Sequence, residues 1–110
     1  MNTPMPLLSP VLLPAVAELA KTLGNPQRLL LLQHAGSGEM AVERLAELSG
    51  LSLANTSQHL QQLRRGGLVV ARRQGKHMLY RLADGPLAAV LDSLQAWVGQ
   101  QQEQARRLLE

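Results

Sequence analysis

The chain has no cysteine and no phenylalanine, and its aromatic side chains are one tryptophan and one tyrosine. Without thiols, disulfides, thiolate metal sites and thiol redox sensing are excluded together. Without aromatic bulk, leucine, alanine and valine must fill the core, which favours packed helices over a β-sandwich. No apolar run approaches the roughly 18 residues of a membrane span. Met1 to Pro14 has no basic segment ahead of its apolar residues, so a secretory leader is not expected, and the simplest compartment is the cytoplasm. Parts for an enzyme are missing too: there is no nucleophile and base at a motif spacing, no Gly-rich phosphate loop and no acid cluster. Ser57 and His59 stand two apart on one helix and point in different directions, so they are not a catalytic pair. One further absence is local. Between Glu47 and Asp84 lie 36 residues with no carboxylate and six cations: Arg64, Arg65, Arg72, Arg73, Lys76 and Arg81.

What is present is one domain's worth of chain, 110 residues that are 45% hydrophobic and 17% charged, without repeats or low-complexity tracts. A net charge of +3 alone decides little. Six cations in an acid-free interval make a local positive field, and phosphate is the commonest partner for one. A basic solvated face without a partner is the alternative.

Hydrophobic periodicity divides the chain into helices and one hairpin. Residues 1–10 hold three prolines and are expected to be a flexible N-terminus. Leu12, Val16, Leu19, Ala20 and Leu23 then form an amphipathic stripe over 11–23, stopped by Gly24-Asn25. Pro26 suits the first turn of a second helix, whose run Leu29 to Leu32 should be buried on all sides. After Gly36-Ser37-Gly38 comes a short extended piece, Glu39 to Ala41. A third helix follows with Val42, Leu45, Ala46 and Leu48. Ser49 to Ser52 holds a tight turn with glycine in it, and a fourth helix follows, which is the helix-turn-helix pattern. The period then shortens. Leu68 to Arg73 and Lys76 to Leu82 read as two strands around a Gln74-Gly75 turn, a β-hairpin with a basic tip. Pro86 opens a last helix over 86–109.

The fourth helix organises the rest. Ser52 stands where an N-cap belongs, and Gly66-Gly67 can end the helix without a Cβ penalty. Leu53, Leu60 and Leu63 can share one face, with Thr56 near the seam. Asn55, Ser57, Gln58, His59, Gln61 and Gln62 fall mostly elsewhere. A solvated helix face is usually rich in Glu and Lys. This one carries neutral amides, hydroxyls and an imidazole, the groups that read base edges in a major groove. The alternative is a polar surface helix that happens to be Gln-rich.

These motifs, in this order, resemble the ArsR/SmtB-type winged-helix transcriptional repressors. Leu23-Gly-Asn-Pro-Gln-Arg-Leu-Leu30 is similar to their L-x-x-P-x-R-L signature, and Ser57-Gln-His-Leu60, Leu63-Arg-Arg-Gly-Gly-Leu-Val69 and Tyr80-Arg-Leu82 continue the match over roughly residues 13 to 100. The stretch from Ala54 to Arg65 resembles a subgroup often joined to a C-terminal rhodanese domain, so the chain is expected to be a stand-alone or trimmed relative. The resemblance implies a mainly α winged helix-turn-helix of order α-α-α-α-β-β-α. It also implies a homodimer on an operator palindrome, one recognition helix per half-site.

Ser57, Gln58 and His59 match the recognition-helix signature, and Arg72, Arg73, Lys76 and His77 match the wing. Asn55, Thr56, Gln61 and Ser52 join the DNA-contacting set by geometry, and Arg64 by charge. His59 is equally suited to packing. Leu53 and Ala54, where the family often has polar residues, could touch thymine methyl groups. The family's metal-binding cysteines of the third helix are replaced by Ala41 and Glu43. Asp92 of the last helix is followed by Ser93 and Leu94, and no histidine follows His77. No metal or cofactor is therefore expected, since an isolated carboxylate makes no transition-metal site. His34 suits the end of the second helix, where it meets the helix dipole.

The last helix carries more apolar surface than a domain this small can cover alone. Leu87, Leu91, Leu94, Trp97 and Val98, with Leu12, Val16 and Leu19 of the first helix, are expected to pair with a second copy. The overall expectation is a dimeric, sequence-specific DNA-binding repressor. Its rival is a winged-helix dimer serving as a protein-interaction module with weak DNA binding. Three routes for a signal stay open: a small molecule near Trp97, a partner protein, or a further domain.

Overall fold

A computed structural model describes residues 8–109, and its elements run α1 (Leu13–Leu23), α2 (Pro26–Gly36), β1 (Met40–Ala41), α3 (Val42–Ser49), α4 (Leu53–Arg65), β2 (Val69–Gln74), β3 (His77–Leu82) and α5 (Leu87–Leu109). The helix-turn-helix with a basic hairpin is therefore present in the expected order. The N-terminus expected to be flexible lies outside the described residues as far as position 7. The Ser9 carbonyl accepts from the N–H groups of Leu12 and Leu13, a turn that delays the helix start from position 11 to 13.

The junctions follow from local chemistry. Asn25, in extended conformation, accepts from the Arg28 N–H at 3.0 Å while Pro26 fills the first helical position, so the residues that stop α1 also start α2. Gly50 (φ 67°) closes α3: its N–H reaches the Glu47 carbonyl, and that of Leu51 reaches Ala46. Gly67 (φ 75°) closes α4 in the same way, with Gly67 N–H on Arg64 and Leu68 N–H on Leu63. Both are Schellman ends that need a residue without Cβ. Gly66 keeps negative φ, so only one glycine of the expected pair is required for the stop.

Two features of the sheet differ from the hairpin expectation. The hairpin turn is Gly75-Lys76, because Gln74 pairs with His77. The extended piece at Met40–Ala41 joins the sheet, pairing with Tyr80 and Leu79, so the order is β1-β3-β2, all antiparallel. The extended conformation is as expected; the pairing rests on Tyr80 and Leu79, far along the chain, which local spacing does not show.

Leu31 and Leu32 of α2, Leu45 of α3, Leu60 and Leu63 of α4 and Val69 of β2 are buried almost completely, with Tyr80 sealing the sheet side. The all-round burial expected for Leu29 to Leu32 is halved: Leu31 and Leu32 are buried, while Leu29 is 39% exposed and lines a groove between α2 and α5. Leu53 departs further. It is 51% exposed, while Thr56 is fully buried with Leu60 and Leu63. The buried face of α4 therefore begins at Thr56, and its first turn stands clear of the core.

The outer helices are thinly attached. α5 has no buried residue in 23, and α1 buries only Leu23. The radius of gyration is 16.9 Å, against about 13 Å for a compact chain of this length. The two measures agree that α1 and α5 project from a small core.

The burial pattern of α4 sets a stability contrast. Leu60→Ala should cost about 2–5 kcal/mol in urea unfolding, and Leu53→Ala no more than about 0.5 kcal/mol. Equal losses would contradict the placement of the helix.

Candidate nucleic-acid interface

The buried stripe of α4 decides what the helix shows. Thr56, Leu60 and Leu63 lie at i, i+4 and i+7 and point into the core. Leu53, Ala54, Asn55, Gln58, Gln61 and Gln62 consequently face outward, with Ser57 half-buried beside them. Ser52 caps the helix, its hydroxyl accepting from the Asn55 N–H at 3.1 Å. The outer face thus presents neutral donors and acceptors, and its cations, Arg64 and Arg65, lie in the last turn.

Two of the expected readers are committed elsewhere. Thr56 has no exposure, and its hydroxyl donates to the Ser52 carbonyl at 2.8 Å, so it braces the first turn and cannot reach a base. This corrects its assignment to DNA contact. His59 is half-buried with its Nε2 2.8 Å from Gln27 Oε1 on α2, and its Nδ1 is buried without a partner. The geometry gives this imidazole the packing role that the sequence offered as the alternative.

On the wing, the acid-free interval of sequence does not survive in space. Arg72 Nε and Nη2 grip the Glu39 carboxylate at 2.6–3.0 Å, a bidentate pair between residues 33 apart. That hydrogen bonding holds the Glu39 carboxyl below its ordinary pKa and raises that of Arg72. His77 Nδ1 stands 3.7 Å from Glu43, at one of the positions where the resemblance replaces a cysteine. Arg81 reaches Asp84 at 3.2 Å. Among the described residues, Arg64, Arg65, Arg73 and Lys76 have no carboxylate within 4.0 Å. These four are the uncompensated positive charge of the interval. Arg65 was outside the expected contact set although it lies in the same acid-free run. Like Arg64 it is exposed in the last turn of α4.

The L-x-x-P-x-R-L segment also acquires a geometric role. The Arg28 guanidinium donates to the Thr22 carbonyl at 2.6 Å and to Lys21 at 3.3 Å, both in the last turn of α1, and to Gln62 Oε1 on α4 at 2.7 Å. Carbonyls at a helix C-terminus lack intrahelical partners, and a cation there is favourable. No periodicity argument points to this residue, since its partners come from two other helices.

The apolar residues expected to pair with a second copy divide into two sets. Leu12, Val16, Leu19, Leu94, Trp97 and Val98 are 36–63% exposed. Leu87 and Leu91 instead pack against the chain's own core, because the first two turns of α5 lie on it. A groove of about 540 Å³ runs between α2 and α5 and shares Leu94 and Val98 with the exposed stripe.

No protein-family model matches the chain. It is 42% identical over 84 residues to the HTH-type transcriptional regulator Rv0324 of Mycobacterium tuberculosis, a match that covers 76% of this chain and 37% of that protein. The chain therefore spans little more than a third of that relative. Identity to the biofilm growth-associated repressor of Xylella fastidiosa is 37% over 90 residues, covering 82% of this chain and 79% of the repressor. Among solved structures, the homodimeric winged helix-turn-helix DNA-binding domain of Mb0332 from Mycobacterium bovis, described as a possible ArsR-family transcriptional regulator, is similar. Its TM-score is 0.76 at 37% identity, covering 87% of this chain and 92% of that one. With the helix order, the wing and the signature segment in place, the chain belongs to the ArsR family of winged helix-turn-helix transcriptional regulators.

Proposed function

We propose that the chain acts in the cytoplasm as a homodimeric, sequence-specific DNA-binding repressor with no catalytic step, holding an operator palindrome with one α4 per half-site. The observation that carries this reading is the outer face of α4: neutral amides and hydroxyls aimed away from the core, bracketed by uncompensated cations. Asn55, Ser57 and Gln58 are assigned to base edges, with Ser52 and Gln61 at the margins of the face. Arg64, Arg65, Arg73 and Lys76 are assigned to phosphates, which set affinity and salt dependence. Arg72 and His77 stay near the backbone path, but their carboxylate neighbours reduce what they contribute. The exposed apolar faces of α1 and α5 supply the dimer contact, as the relative from Mycobacterium bovis is a homodimer. The family's known metal and thiol sites have no counterpart in this sequence, which leaves the signal to another route.

The rival, a winged-helix dimer used as a protein-interaction module, gains from the ion pairs Arg72–Glu39 and Arg81–Asp84, which shrink the basic field. Selection from random duplex DNA separates the two. The repressor reading predicts enrichment of a two-fold symmetric site. Loss of all enrichment would favour the module.

On the selected site, Arg73→Ala should lower affinity for all sequences alike and reduce the log–log salt slope by about 0.9, one phosphate's worth. Glu39→Gln frees Arg72 and should steepen the slope by up to about the same amount. A slope indifferent to both changes would contradict the phosphate assignment. Gln58→Ala should instead cost roughly 1–3 kcal/mol at one base pair per half-site. A uniform loss at every position would remove Gln58 from base readout.

A further inference from the structure

We propose that Arg28 and Gln62 together determine which half-site spacing the dimer accepts. The inference rests on the dimeric DNA-binding reading above, and it concerns how the two reading helices are held relative to each other.

In such a dimer, the distance between the two copies of α4 is fixed through whatever joins α4 to the dimer helices. α4 itself is rigid in the core through Thr56, Leu60 and Leu63. α1, which carries Val16 and Leu19, is not. It buries only Leu23, and Gly24-Asn25 is all that separates it from α2. Its angle to the core depends on what grips its last turn.

Arg28 is that grip. Its backbone N–H is fixed by the Asn25 cap at 3.0 Å, its Nε and Nη2 hold the last-turn carbonyls of Thr22 and Lys21, and its Nη1 ends on Gln62 of α4. A planar guanidinium donates along fixed directions. Seating one edge on Gln62 therefore orients the other edge toward α1. Gln62 lies one turn beyond Gln58, so the brace attaches to the reading helix itself. Next to it, His59 meets Gln27, a second polar link from α4 to α2, but that link does not touch α1. Among the described residues, Arg28 is the side chain hydrogen-bonded to both α1 and α4. It is a positioning residue, and Gln62 is its partner.

The test uses the full chain and the symmetric site selected from random DNA, compared with the same site lengthened or shortened by one base pair between half-sites. Wild type should discriminate strongly among the three. Gln62→Ala removes an exposed side chain that the core does not need, and it should shrink that discrimination by about tenfold, the loss of one charge-assisted hydrogen bond. Arg28→Lys, which keeps the charge and loses the fork, should act in the same direction. Gln62→Glu should restore the discrimination while weakening binding to all three DNAs, because a carboxylate pairs with Arg28 but repels phosphate. If Gln62→Ala lowers affinity equally for all three sites, or changes nothing, the positioning role is wrong. If wild type selects no two-fold site, the functional reading itself fails, and that outcome is visible before any variant is made.

Discussion

The arrangement depends on three side chains of α4, Thr56, Leu60 and Leu63, which lie at zero exposure, the two leucines in one cluster with Leu31, Leu32 and Leu45. Because a helix has one rotational setting for a given buried stripe, burying these three decides which residues face outward. The Ser52 cap and the Gly67 end then fix where that face begins and stops. Thr56 is the only polar member of the stripe and satisfies its hydroxyl on the Ser52 carbonyl, which avoids the cost of an unpaired buried donor. The outward polar face is thus a consequence of core packing, with no separate device needed to aim it.

Charge is arranged less simply than its distribution along the chain suggests. Folding returns Glu39, Glu43 and Asp84 to the basic segment from outside it, so Arg72, His77 and Arg81 have acidic neighbours while Arg64, Arg65, Arg73 and Lys76 do not. Surface ion pairs of this kind add little to stability. Their effect is on the distribution of charge, leaving the unpaired cations at the end of α4 and at the hairpin tip. On the proposed reading, a wing whose charge is partly neutralised in this way makes fewer phosphate contacts than its composition implies.

Helix order, turn chemistry and the outward polar face of α4 were legible in the sequence because each rests on local spacing: a period of 3.6, a cap before it, a glycine after it. What was not legible required partners distant along the chain. The Arg72–Glu39 pair joins residues 33 apart, the Arg28–Gln62 bond spans 34, and β1 exists only because Tyr80 and Leu79 lie beside it. Leu53 and Thr56 were misjudged for a related reason. Helical spacing places them on adjacent angles, and only the surrounding helices decide which is covered. The same limit divides the apolar stripe of α5, where Leu87 and Leu91 serve the protomer and Leu94, Trp97 and Val98 remain available.

The central claim, that the outer face of α4 and its flanking cations recognise a particular DNA, is tested most directly by fluorescence anisotropy. Binding of the chain to the duplex upstream of its own gene would be followed across a salt series and compared with a scrambled duplex of equal length. Preferential binding of the upstream fragment by one dimer, with affinity falling steeply as salt rises, is the predicted result. Weak binding to both duplexes that is indifferent to salt would contradict it and move the function of this fold to protein partners.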